Sequence, residues 1–231
     1  RLAGAGHRVV LVVATSGELG LRPDGLDGCL GVIRREETAR AAALLGVHRV
    51  EFLGHLDSGM EGDAANHRPG SFVSADPVVA AGALARILRE EGAEAVVIYD
   101  EGGVYGHPDH VKVHEVGLRA AALAEIETVY EATIDGEYLH FVEEHLIDQA
   151  RRPEAHRRSV GVPSVFISTV LDVRPELDVK RAALATHESQ VAETSWALTM
   201  PDETFAEVYG YEFYVRRGPA GAIEHVAGSP A

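Results

Sequence analysis

The chain has 231 residues, 46% of them hydrophobic, and sets 21 Lys and Arg against 36 Asp and Glu for a formal charge of -15. That length and apolar content can bury one α/β core spanning residues 1–231, while the acidic balance repels phosphate backbones and sets nucleic acid aside in favour of a neutral or cationic small molecule. Cys29 is the only cysteine, which excludes an internal disulfide or thiolate cluster, leaves any metal to His and carboxylate ligands, and suits a reducing cytoplasm.

The longest apolar run, VVLVVA at 9–14, falls well short of the roughly 20 residues that span a bilayer, so the reading is a soluble protein with no membrane partner. The chain opens at RLAGAGHRVVLVV without a methionine, apparently in the last turn of a helix, and a lost upstream segment is expected. Three continuous aliphatic runs, at 7–15, 49–54 and 93–100, read as strands buried on both faces of a parallel sheet. Between them lie helical segments at 32–47, with Ala41, Leu44 and Leu45 at helical spacing and Gly46 as a stop, and at 76–92, with Asp76 as N-cap, Pro77 at the first helical position and Gly92 at the end. Further on, helices are expected at 111–125, 137–150 and 176–190, and strands near 127–133, 164–173 and 209–218. Alternating strands and helices predict a Rossmann-like open, mostly parallel sheet with helices on both faces. The basic stretch 150–159 reads as a solvated loop, and the Gly-, Ser- and Asp-rich segment 57–76 has the length of a functional lid.

The chemistry concentrates in YDEGGVYGHPDH, residues 99–110. It follows an aliphatic strand, and ligands of open α/β sheets sit outside the carboxyl ends of strands. Pro108 starts a helix with Asp109 and His110 in its first turn and His107 just outside. Pro and Asp commonly begin helices, but helix initiation leaves the two flanking histidines unexplained. A neutral imidazole is a zinc ligand, and Asp109 can orient or charge-pair His107. His110 and His114, one turn apart, are an alternative two-histidine metal face.

GHPDH with Tyr105 before it, TSGE at 15–18, RREETARAAALLGV at 34–47, LGHLDSGM at 53–60 and KRAALATHESQ at 180–190 occur in an order that resembles the LmbE-like, or PIG-L, family of zinc-dependent N-deacetylases. The resemblance implies that His110 is a zinc ligand, that His107 is general acid or oxyanion stabiliser with Asp109 as carboxylate partner, and that Tyr105 reaches the oxyanion. It further implies that Glu18, Arg35 and Asp57 line a sugar pocket with His187 near its mouth. From the residues alone, Glu18 and Asp57 are equally turn residues, Arg34 and Arg35 a solvated helix start paired with Glu36 and Glu37, and His187 a helix-end dipole partner. The family's His-Pro-Asp-Asp-Glu stretch is absent; its expected place is upstream of Arg1, so the first strand is expected to be missing, the zinc site incomplete and the chain impaired, with a gap in the sheet. The implied activity is hydrolysis of an N-acetyl group from an amino sugar or related small molecule. The rivals are a mycothiol-conjugate-type amidase of the same family and an inactive sugar-binding module. A homo-oligomer is compatible with the sequence.

Overall fold

The computed structural model describes residues 1–22, 24–26, 28–145, 160–190 and 196–227; the basic stretch 150–159 and the end of the helix expected over 137–150 lie outside them. The aliphatic runs become parallel strands. Val10–Thr15 (β1) leads through the helix Leu30–Leu44 (α1) to Arg49–His55 (β2), which pairs parallel to β1 with Val10 opposite Arg49. After Pro77–Glu91 (α2) the chain enters Ala95–Tyr99 (β3), one short turn Gly103–Gly106 (α3), and the helix Pro108–Leu123 (α4). Thr128–Thr133 (β4) lies parallel to β3, with Ala95 opposite Thr128. The remainder is Gly136–His145 (α5), Thr169–Asp172 (β5), Leu177–Ala185 (α6), Asp202–Tyr209 (α7), Tyr211–Arg217 (β6) and Ala222–Ala227 (α8).

The strands form two sheets, β1-β2 and β3-β4-β6-β5, the last two pairings being antiparallel. Successive side chains of a strand face opposite sides, and β4 uses both. Val129 belongs to a core made with Ala80, Ala81 and Ala85 of α2, Ile98 of β3, and Val116 and Ala120 of α4. Tyr130 belongs to another, with Leu171, Tyr214, and Ile223 and Val226 of α8. Helices therefore cover both faces of the four-stranded sheet, and Ala14 of β1 packs against the first core, which joins the two sheets. Among the described residues no helix is long and apolar enough to cross a membrane.

The helix starts follow from local chemistry. Asp76 caps α2 by accepting the Val78 N–H at 2.8 Å, Pro77 fills the first position, and Gly92 ends the helix at φ 59°. Small residues let α4 lie close on β3: at Gly117 a Cβ would collide with Ile98 Cγ2. Gly117→Ala is accordingly expected to destabilise the fold by about 1–3 kcal/mol through overpacking, read as a lower denaturant midpoint with unchanged slope.

Two expectations need correction. The strand expected over 164–173 shrinks to Thr169–Asp172, because Ser164–Phe166 forms a 3-10 turn whose Val165 and Phe166 stand exposed without a partner strand. The helix expected over 176–190 ends at Ala185, followed by a separate 3-10 turn at Glu188–Gln190. The strands β1 and β2 are only partly buried along their length, whereas β4 is almost wholly buried.

Candidate functional site

The site grows from the C-terminal end of β3. Asp100, 5% exposed, accepts the Val104 N–H at 2.8 Å and the hydroxyl of Thr133 at the end of β4. The turn it ties down is tight. Gly103 is at φ 64°, where a Cβ would meet the backbone of Val111, and Val104 is held at φ 66°, ψ -62°. A β-branched residue at positive φ costs about 1–3 kcal/mol and persists only where its surroundings over-determine it. The next residue is Tyr105, 44% exposed, whose ring lies 6.1 Å from that of His107 and 5.1 Å from that of His110.

His107 serves as N-cap of α4: its Nδ1 accepts the backbone N–H of Asp109 at 3.1 Å. In the neutral ring the proton therefore sits on Nε2. The Asp109 partnership expected from the sequence is thus made through the Asp109 backbone, while its carboxylate Oδ2 takes the N–H of Ser58 at 3.2 Å. The other carboxylate oxygen, Oδ1, is buried without a hydrogen-bond partner. Burial raises the Asp109 carboxyl above the usual range, the nearby Asp57 charge adds to this, and Ser58 and His107 oppose it. Asp57, also more than nine-tenths buried, brings a carboxylate to the same place: ligand atoms of Asp57, His107 and Asp109 all lie within 4.8 Å of one another.

His110, on the first turn of α4, stacks on Tyr99 with ring centroids 4.0 Å apart and lies 5.1 Å from His107. Its Nδ1 is buried and unpartnered. Burial, helped by the His107 charge and opposed by the Gly103 backbone and Asp100, pushes its pKa down to about 4, so at neutral pH it is a neutral imidazole, the form that binds metal. His114 points elsewhere, its Nδ1 at 3.0 Å from the Tyr99 carbonyl and 3.7 Å from Glu131. The alternative two-histidine face is thereby set aside.

A second layer joins the remaining predicted residues. Glu18 Oε1 accepts the backbone N–H of Asp57 at 2.9 Å and pairs with Arg68 at 3.2 Å. Arg34 holds the Glu18 loop by donating to the Gly17 carbonyl at 2.6 Å, whereas Arg35 lies over the Phe52 ring, 4.2 Å from its centroid. His187 sits where burial lowers its pKa, with Glu37 opposing and Arg34 and Arg40 adding to the shift. Residues to which the sequence assigns no site role hold this layer in place. Glu37, 1% exposed, takes both the backbone N–H and the hydroxyl of Ser189 at 2.7 Å. That corrects the reading of Glu37 as a surface ion-pair partner, and Glu36 and Glu37 differ in this way because only one of them faces the interior side of α1. Fully buried Ser58 takes the Val73 N–H on its hydroxyl at 3.0 Å, fixing the loop that presents Asp57.

Comparison with known proteins bears on this arrangement. Residues 1–121 match the family model described as PIG-L: GlcNAc-PI de-N-acetylase. A 1D-myo-inositol 2-acetamido-2-deoxy-alpha-D-glucopyranoside deacetylase of Thermobifida fusca is 32% identical over 96% of this chain and 89% of its own. Among solved structures, an N,N'-diacetylchitobiose deacetylase from Pyrococcus horikoshii superposes with a TM-score of 0.63 at 19% identity, covering 94% of this chain and 75% of that one. The zinc-inhibited form of a teicoplanin deacetylase does so with a TM-score of 0.60 at 21% identity, covering 95% and 91%.

Proposed function

Because the chain belongs to the PIG-L, GlcNAc-PI de-N-acetylase, family, we propose that it is a zinc-dependent hydrolase that removes the N-acetyl group from an amino sugar. The first substrate to try is the acetamido glucopyranosyl inositol named for its relative from Thermobifida fusca. The observation that carries this reading is the convergence, at the end of β3, of Asp57, His107 and Asp109 within 4.8 Å beside the neutral imidazole of His110.

Zinc fits the donors present, which are part of the ligand set that the family resemblance implies. The donors are nitrogen and oxygen, and two of the buried polar atoms, His110 Nδ1 and Asp109 Oδ1, have no hydrogen-bond partner. In this reading His110 holds the ion, beside the group formed by Asp57, His107 and Asp109. When bound, zinc supplies a Lewis acid for the acetyl carbonyl and a water whose pKa falls toward about 7. His107, carrying its proton on Nε2, donates a hydrogen bond to the developing oxyanion, and the Tyr105 hydroxyl is a second donor. The proton lost by the attacking water balances the one gained by the departing amine: His107 takes up a proton at Nδ1, giving up the Asp109 N–H, and delivers its Nε2 proton to the amine, while the Asp57 and Asp109 carboxylates stabilise the imidazolium in between. Glu18, Arg35 and His187 are assigned to the sugar-binding side, with Arg34 holding the Glu18 loop.

The test is acetate release from that inositol glycoside, with a conjugate carrying a bulkier acyl group as the rival substrate. Acetate release that a chelator stops and added zinc restores is the expected result; cleavage of the bulky amide alone would replace this reading by the amidase. Tyr105→Phe is expected to lower kcat roughly a hundredfold with little change in KM, the signature of a donor acting in the transition state.

A further inference from the structure

A cavity of about 490 Å³ opens between the C-terminal end of β4, the start of β6 and α5. Its walls are aromatic and aliphatic, among them Tyr138, Val142, Trp196, Tyr209, Tyr211 and Phe213. Several of the polar groups lining it are already committed to protein partners. Thr133 donates to Asp100, and the Tyr138 hydroxyl donates to the Glu207 carbonyl. Lys180 donates to the Tyr209 carbonyl and to Glu212 Oε1, each at 3.0 Å, and Tyr214 donates to the other Glu212 oxygen at 2.8 Å. With the ammonium neutralised and the Thr133, Tyr138 and Tyr214 hydroxyls satisfied, what the cavity offers a ligand is mostly uncharged ring and methyl surface, in a volume typical of small-molecule sites.

Its position ties it to the chemistry. Thr133, which lines the cavity, hydrogen-bonds the same Asp100 that holds the Val104 turn carrying Tyr105, and the neighbouring Ala132, also in the lining, accepts the Asp100 backbone N–H at 3.1 Å. An acetyl group is far too small to fill such a space. We propose that the cavity is a subsite for an apolar aglycone on the amino-sugar substrate, a group such as an alkyl chain or aryl ring carried at the anomeric carbon. The proposal rests on the N-deacetylase reading and adds to its substrate class glycosides with an apolar aglycone.

Trp196 is the only tryptophan in the chain and lines the cavity, so its fluorescence reports occupancy whether or not turnover occurs. The experiment titrates the full chain, with and without zinc, with the octyl and methyl β-glycosides of N-acetylglucosamine, below the micellar concentration of the former. The octyl glycoside is expected to shift Trp196 emission at concentrations at least tenfold lower than the methyl glycoside, each buried methylene adding severalfold to affinity. Val142→Phe, which fills the cavity, is expected to erase that difference while leaving methyl-glycoside binding in place; should the variant not fold, the comparison on the unmodified chain decides. Equal affinities for the two glycosides overturn the subsite, as does octanol alone matching the octyl glycoside. Preference for N-octanoyl-glucosamine as its methyl glycoside over the octyl glycoside overturns the assignment to the aglycone. Binding without acetate release would sink the deacetylase reading and leave the subsite standing, whereas acetate release from both glycosides with equal binding does the reverse.

Discussion

His110→Phe is expected to strip the protein of bound zinc and to lower kcat/KM by on the order of a thousandfold or more, while the fold survives. The substitution is chosen for its shape. The His110 ring stacks on Tyr99 at 4.0 Å and lies edge-on to Tyr105 at 5.1 Å, and a phenyl ring keeps both contacts while removing both nitrogens. The unpartnered Nδ1 makes the replacement easier still, because no hydrogen bond to the protein is lost there. His110→Ala loses the metal equally but leaves a cavity beside Tyr99, and should cost an additional 1–3 kcal/mol or so of stability. Several kcal/mol of transition-state stabilisation goes with the ion, which is the source of the expected loss in rate. Metal analysis after gel filtration gives the first readout, thermal unfolding the second and acetate release the third. Retention of stoichiometric zinc by His110→Phe would remove His110 from the ligand set and leave Asp57, His107 and Asp109 as the donors to examine.

The pKa of about 4 at His110 carries a related consequence. In the unfolded chain a histidine takes a proton below about 6.5, so between that pH and about 4 the unfolded state binds more protons than the folded one. Stability contributed by the neutral ring is present above pH 6.5 and is lost as pH falls through that window. His110→Phe removes the titrating group, and its stability should fall less steeply over the same window.

Adjacency decided which parts of this molecule could be read in advance. His107, Pro108, Asp109 and His110 are neighbours in the chain, follow an aliphatic strand and start a helix, so local rules place them together at a sheet end. The reach of Asp57 into the same group depends on a loop held by Ser58, Asn66 and Val73, contacts with no local pattern; the family resemblance implies for Asp57 only a place in the sugar pocket. Arg34 and Arg35 show the finer limit. One residue along α1 turns a side chain by about 100°, which separates a guanidinium on the Gly17 carbonyl from one lying over Phe52. The strand ends were misjudged where partners decide: Val165 and Phe166 have the composition of a strand, but only Thr169–Asp172 finds β6 to pair with. The helix Asp202–Tyr209 is not among the expected elements, although Pro201 and two acidic residues mark its start and Gly210 its end.

Glu37→Ala is expected to destabilise the fold by about 3 kcal/mol and to weaken sugar binding without removing the metal. Glu37 and Ser189 lie 152 residues apart in sequence, and nothing in the RREE stretch marks one of its glutamates as buried. At 1% exposure its two carboxyl oxygens are each satisfied by a Ser189 donor at 2.7 Å. Truncation leaves the Ser189 N–H and hydroxyl buried without their acceptor, at about 1–3 kcal/mol each, and adds a small void. For a chain of this length the loss corresponds to a fall of roughly 6–12 °C in Tm. The turn Glu188–Gln190 would then be released from α1, and with it His187 and Gln190, whose Nε2 donates to the Leu21 carbonyl at 2.9 Å. Glu37→Gln separates packing from hydrogen bonding: its amide oxygen can still accept one Ser189 donor, but its NH₂ faces the other, so the loss should be intermediate. The expected kinetic pattern is a raised KM with nearly unchanged zinc content and a smaller effect on kcat. A Glu37→Ala protein as stable as the parent would show that the Ser189 donors find water or another acceptor, and that the tie between α1 and the His187 turn does not hold the pocket in shape.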